Sequence, residues 1–167
     1  RRWLARLASQ YELEWNEDAP LAPLFQVLML RVDTIPIELA LAQAAKESGW
    51  GRSRFAVEAN NLFGQWCYVE GCGLVPGNRP AGASHEVETF PSVSEAMRRY
   101  MNNLNTHESY AEFRRLRQQQ RENDESPTGM ALASGLTHYS ERREAYVDDV
   151  RAMIRQYRQL QAEKSSS

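Results

Sequence analysis

Apolar side chains near the start of the chain recur with a helical period. Trp3, Leu4, Leu7, Ala8 and Tyr11 fall on one side of a helix that the spacing carries through about Glu14. The polar run Asn16-Glu17-Asp18 breaks the pattern. Pro20 then opens a second helix with Leu21, Leu24, Phe25, Val27 and Leu28 on its inner side, ending near Arg31. The next stretch, I-P-I-E-L-A-L-A-Q-A-A-K-E-S-G-W-G-R-S-R over residues 35–54, is small and apolar on almost every side. Leu39, Ala40, Leu41, Ala42, Ala44 and Ala45 predict a helix buried nearly all round. Pro36 suits its first turn, Asp33 or Thr34 its N-cap, and Gly49 and Gly51 its end. One further short helix is expected over 52–59.

The period then changes. Asn60-Asn61-Leu62-Phe63-Gly64-Gln65-Trp66 reads as a sharply turning loop. Gly71, Gly73, Pro76, Gly77, Pro80 and Gly82 forbid a helix, while 67–69 and 84–90 alternate like short strands, so a small β-lobe is expected at about 67–90. Helices resume at the capping box Ser92-Val93-Ser94-Glu95, with Val93, Ala96, Met97, Tyr100, Met101 and Leu104 facing inward. A short basic helix over 110–120 turns Phe113 and Leu116 inward, and its arginines 114, 115, 117 and 121 read as a solvated face. A short helix over 127–134 stops at Gly135. The last helix runs from about Glu141 to Leu160 with Tyr146, Val147, Val150, Ile154 and Tyr157 inward. The chain thus divides into N-terminal helices over 1–34, a body over 35–160, and a polar tail over 161–167 whose terminal K-S-S-S is expected to fray.

Composition adds limits. A chain of 167 residues suffices for one domain with a real core. A net charge of −2 and a pI near 6 argue against nucleic acid as a partner. There is no apolar run of membrane-spanning length. The opening R-R-W-L, without Met, reads as part of a longer protein whose targeting segment lies elsewhere. Cys67 and Cys72 are close enough for a short disulfide, which would imply an oxidising compartment; two buried free thiols are the alternative. His85, His107 and His138 add no metal-ligand spacing, so no metal is expected.

The candidate chemistry centres on Glu47, in the last turn of the apolar helix. The negative end of the helix dipole and apolar surroundings both raise a carboxyl pKa, as a general acid requires. The plain alternative is a glutamate that reaches solvent past the helix end. Trp50 and the glycine break suggest the wall and floor of a cleft. In the loop that follows, Asn61, Phe63, Gln65 and Trp66 offer side-chain amides and flat rings, the groups that hold a pyranose. Leu62, Phe63 and Trp66 equally suit plain core packing.

A-Q-A-A-K-E-S-G-W-G-R-S, then N-N-L-F-G at 60–64, a small β-rich stretch and Y-S-E-R-R-E-A-Y at 139–146 together resemble glycoside hydrolase family 73. These are bacterial glucosaminidases that cut peptidoglycan, and W-C-Y-V-E-G-C-G is most similar to a Gram-negative branch. The resemblance covers about 35–157. It implies a mainly α (α+β), lysozyme-like fold: a helical lobe, a small inserted β-lobe and a groove between them. It also implies cleavage of the β-1,4 bond after N-acetylglucosamine, with Glu47 as general acid and Tyr139 as a groove tyrosine. The tyrosine motif is altered here, being one residue longer and carrying Ser140-Glu141 in place of Ala-Thr. For the second carboxylate, the acid many members carry on the first strand of the β-lobe is replaced by Gly73-Leu74-Val75-Pro76. Glu70, Glu86 and Glu88 remain, with Glu86 favoured; otherwise the substrate's own 2-acetamido group serves. The expected partner is a peptidoglycan glycan strand in the periplasm or cell envelope, met by a monomer without cofactor. A lytic transglycosylase of the same fold and a non-catalytic wall-binding module are the alternatives. N-N-L-F-G in place of a G-L-M-Q-like stretch argues against the former.

Overall fold

The computed structural model describes residues 1–165, in two compact units: Arg1–Leu39 with the chain from Met101 onward, and Ala40–Tyr100. The protein is mainly helical with one small antiparallel sheet, the α+β composition expected of a lysozyme-like fold.

In the first unit, α1 (Arg2–Gln10) and α2 (Leu21–Arg31) close around Ala8, Leu24 and Leu28, with Leu4, Leu7, Tyr11, Leu13 and Trp15 packed against them. Helix α1 ends sooner than its apolar period suggests. Glu12 turns left-handed at φ +57°, and Leu13 N–H donates back to Ala8 O at 2.9 Å, which returns Leu13 to the same cluster. Helix α6 (Ala111–Glu122), the short α7 (Gly129–Leu132) with the 3-10 turn Ala133–Leu136, and α8 (Glu144–Ser165) bury Phe113, Leu132, Leu136, Tyr146, Val150 and Ile154. A β-carbon on Gly135 would lie 2.4 Å from Phe113 Cα, so only glycine lets this turn approach α6 so closely. The polar tail continues α8 as helix through Ser165, so Lys164 and Ser165 of the K-S-S-S expected to fray are helical; Ser166 and Ser167 lie outside the described residues.

On the arginine face of α6, Arg115 and Arg121 are exposed as expected, and the other two are a correction. Arg114 and Arg117 are buried, at 7% and 1% exposure. Arg117 donates to Leu30 O (2.9 Å), Thr34 O (3.0 Å) and Asn105 Oδ1 (2.8 Å), while its Nε lies 3.6 Å from Asp33. Burial pulls its pKa down to about 10, against the opposing pull of Asp33. The partners lie far off in sequence, so charge pattern alone points the wrong way.

The second unit holds the rest of α3 (Ile37–Ser48), α4 (Arg54–Ala59) and the start of α5 (Val93–Thr106), with Phe63 and Tyr100 buried in it. The two rings stack at 3.9 Å, and Tyr100 donates its hydroxyl to Gln43 Oε1 at 2.7 Å. Helix α3 is not buried all round. Ala42 and Gln43 are buried, but Leu41 is 44% exposed. Alanine and leucine also favour helices intrinsically, so their abundance overstates burial. Ser92 Oγ caps α5 by accepting from Glu95 N–H at 3.2 Å. The sheet has the order β1 (Trp66–Cys67), β3 (Glu86–Glu88), β2 (Gly73–Leu74), antiparallel throughout. Its strands are shorter than the alternation suggested, since turns take up most of 67–90.

Candidate active site

Glu47 is the penultimate residue of α3 and is half-buried. The helix ends in a chain reversal: Trp50 N–H donates to Ala45 O at 2.8 Å, and Gly49, Trp50 and Gly51 are all left-handed, at φ +57°, +60° and +76°. For Trp50 that conformation costs about 1–2 kcal/mol. Ser48 steadies the reversal, its Oγ donating to Ala44 O and accepting from Gly51 N–H at 2.7 Å. Trp50 is left 62% exposed. Ser53 then caps α4 by accepting from Ala56 N–H at 3.1 Å.

Helix α4 returns the N-N-L-F-G loop to the acid. Asn60, left-handed at φ +52°, ends α4 and donates to Phe90 O at 2.8 Å. Gly64 is left-handed too (φ +65°), and a β-carbon on it would sit 3.5 Å from Glu47 Oε2. Thus E-S-G-W-G and N-N-L-F-G, separate in sequence, meet at the Glu47 carboxyl.

The other expected ligand contacts divide between interior and surface. Asn61 and Phe63 are each 1% exposed and present no surface to a sugar, which corrects that expectation. Asn61 pins the loop instead: Nδ2 donates to Gln65 O (2.9 Å) and Glu88 O (2.8 Å), and Oδ1 accepts from Phe63 N–H and Gln65 N–H. Gln65 is half-buried. Its Nε2 donates to Ala96 O at 3.3 Å, while its buried Oε1 has no hydrogen-bond partner among the described residues. Trp66 stays 53% exposed. Its ring stacks on His85 at 4.0 Å and 16°, a pairing that could be foreseen only by knowing the strand register.

Cys67 and Cys72 are joined in a disulfide. Glu86 stands opposite Cys67 in the β1–β3 register and is 5% exposed. Its oxygens accept from Gly71 N–H (3.0 Å) and Gly73 N–H (2.8 Å), and these amides hold its carboxyl below the usual glutamate range. Both oxygens are therefore engaged in holding the disulfide loop, an arrangement that suits a structural tie better than a water-activating base. Glu86, Cys67 and Cys72 lie as close together as metal ligands do, but sulfurs joined in a disulfide offer no thiolates. Glu70 is exposed; Glu88 is half-buried, 3.9 Å from Arg99 Nε. Tyr139 belongs to the other unit, where its ring packs between Tyr110 (6.0 Å) and Tyr146 (5.5 Å).

Glu47, at a helix end, thus faces a glycine loop in the unit that carries the small sheet. Residues 22–159 match the family described as Glucosaminidase, mannosyl-glycoprotein endo-beta-N-acetylglucosaminidase, and the chain belongs to it. It is also similar to Protein bax of Escherichia coli (strain K12), 36% identical over 160 residues, which cover 96% of this chain and 56% of that protein. The chain therefore spans little more than half the length of this curated relative. No solved structure matches it. A domain of this family implies, as a class, a peptidoglycan-related glycosidase. None of the helices among the described residues is long and apolar enough to cross a membrane.

Proposed function

We propose that the protein is an endo-β-N-acetylglucosaminidase that cuts the β-1,4 bond after N-acetylglucosamine in peptidoglycan, with Glu47 as general acid. The observation that carries this reading is the approach of Gly64 to within 3.5 Å, at its would-be β-carbon, of Glu47 Oε2. Glycine at this position sets no side chain against the carboxyl. Protonated Glu47 gives its proton to the glycosidic oxygen as the C1–O bond breaks and an oxocarbenium-like state develops. Water completes the reaction at C1, directly or after the 2-acetamido oxygen has closed on C1. Its proton passes to the activating carboxylate on the direct route, with Glu47 reprotonated from solvent, and to Glu47 itself on the acetamido route. Because Glu86 is tied to the Gly71 and Gly73 amides, activation of water falls to Glu70 or Glu88, or the acetamido route replaces it. Exposed Trp50 is assigned a sugar contact beside the acid. Periplasmic or cell-envelope location follows from the substrate and suits the disulfide.

The test is Glu47→Gln. It is expected to keep the fold, seen as an unchanged melting curve, and to lose roughly 10²–10⁴-fold of peptidoglycan turnover. Cleavage at the wild-type rate by that variant removes Glu47 from the mechanism. Among Glu70→Gln and Glu88→Gln, at most one should match that loss, and two neutral results assign the acetamido route.

A further inference from the structure

We infer that Trp66 and His85 form a rigid aromatic shelf on the β-lobe that binds a pyranose ring of the glycan strand next to the one being cleaved. The inference rests on the glucosaminidase reading for its ligand class and on separate geometry for its location. Trp66 pairs with Val87 across β1 and β3, so His85, two residues before Val87, lies diagonally from Trp66 on the same face. There the rings stack at 4.0 Å and 16°. Imidazole stacks on the indole, yet over half of the tryptophan stays exposed and can meet a ligand. A flat indole face matches the C–H face of a sugar.

Both halves of the pair are clamped by their chain neighbours. Cys67, next to Trp66, is tied by the disulfide to Cys72. Glu86, next to His85, holds the Gly71 and Gly73 amides on either side of Cys72. Cys67 and Glu86 are themselves partners in the β-ladder. The shelf is thus fixed before any ligand arrives, which lowers the ordering cost of binding. Its attachment point is also near the acid along the chain, by way of Gly64. Trp66 follows Gly64 by two residues, at most about 7–8 Å along the backbone, and Gly64 lies against Glu47. The shelf therefore starts two residues from the glycine that faces the acid, and the ring assigned to it is a neighbour of the scissile one. His85 touches no substrate in this arrangement; it is a positioning residue.

The experiment measures binding of a soluble N-acetylglucosamine tetramer by titration calorimetry to the Glu47→Gln protein, which holds the ligand uncut. Adding Trp66→Ala is expected to raise Kd by roughly three- to tenfold, the size of one aromatic contact. Adding His85→Ala should raise it less, and His85→Phe, which keeps a stacking ring, should restore it with no change in melting temperature. In the enzyme with Glu47 intact, Trp66→Ala should raise KM and leave kcat within about twofold. Unchanged Kd in both the Trp66 and His85 variants of a protein that binds and cleaves overturns the shelf and leaves the glucosaminidase reading standing. Trp66-dependent binding by a protein that cleaves nothing supports the shelf and overturns that reading.

Discussion

Replacing Asn61 by alanine separates a loop pin from a sugar ligand. The side chain is buried, and of its four hydrogen bonds between 2.8 and 3.3 Å three close the 60–66 loop on itself and one ties it to Glu88 O of β3. Gln65 O keeps a partner in Glu88 N–H at 2.9 Å. The alanine variant therefore strips this partner from Glu88 O, Phe63 N–H and Gln65 N–H. A buried polar group left unpaired costs about 1–3 kcal/mol. With some water entering the space, the sum is about 3 kcal/mol, a large part of a typical domain's stability. At roughly 2–4 °C per kcal/mol for a chain of this size, the midpoint should fall by about 6–12 °C. Circular dichroism melting of the purified domain reads this directly. Asn61→Asp should be at least as damaging, because it keeps the acceptor but sets a carboxylate against two carbonyls. The companion measurement is oligosaccharide affinity well below the midpoint, which should change little. An unchanged midpoint with weakened affinity would refute the reasoning and return Asn61 to the sugar contacts.

Arg117→Met leaves two carbonyls and Asn105 Oδ1 without their donor, while Asp33 keeps its pair with Arg121 at 2.8 Å. A loss of about 3 kcal/mol is expected in urea unfolding. Arg115→Met, which removes only an exposed pair with Glu112, should cost less than about 0.5 kcal/mol; equal losses would contradict the burial argument. Glu86 carries a pH signature. Its folded pKa lies below the unfolded value near 4.5, so it contributes stability that is present above that value and is lost as pH falls through the folded one. Melting midpoints between about pH 6 and pH 3 should therefore fall more steeply for the wild type than for Glu86→Gln. Parallel profiles would mean that the Gly71 and Gly73 amides do not favour the charged form.

What could be read in advance follows from how locally each feature is determined. The cap of α5 and the inward face of α8 are set by residues within a turn or two of each other, and Tyr146, Val147, Val150 and Ile154 are buried as their spacing requires. The stop at Gly49 and the placement of Glu47 at a helix end are equally local. Direction is not local. Asn61, Phe63 and Glu86 are residue types that suit a site, but whether they face inward depends on partners distant in the chain, as with Phe63 and Tyr100. Arg117 turns inward because carbonyls more than eighty residues away await it. The Trp66–His85 stack needs a register that alternation in so short a sheet cannot specify. Left-handed Glu12 and Arg143, which shape the end of α1 and the approach to α8, carry no glycine to announce them.

The most direct measurement is mass spectrometry of the muropeptides that the purified domain releases from sacculi. Products ending in a reducing N-acetylglucosamine, absent when Glu47→Gln is used, are the predicted result. Products ending in anhydro-muramic acid, or the same reducing ends from the Glu47→Gln protein, would contradict the account.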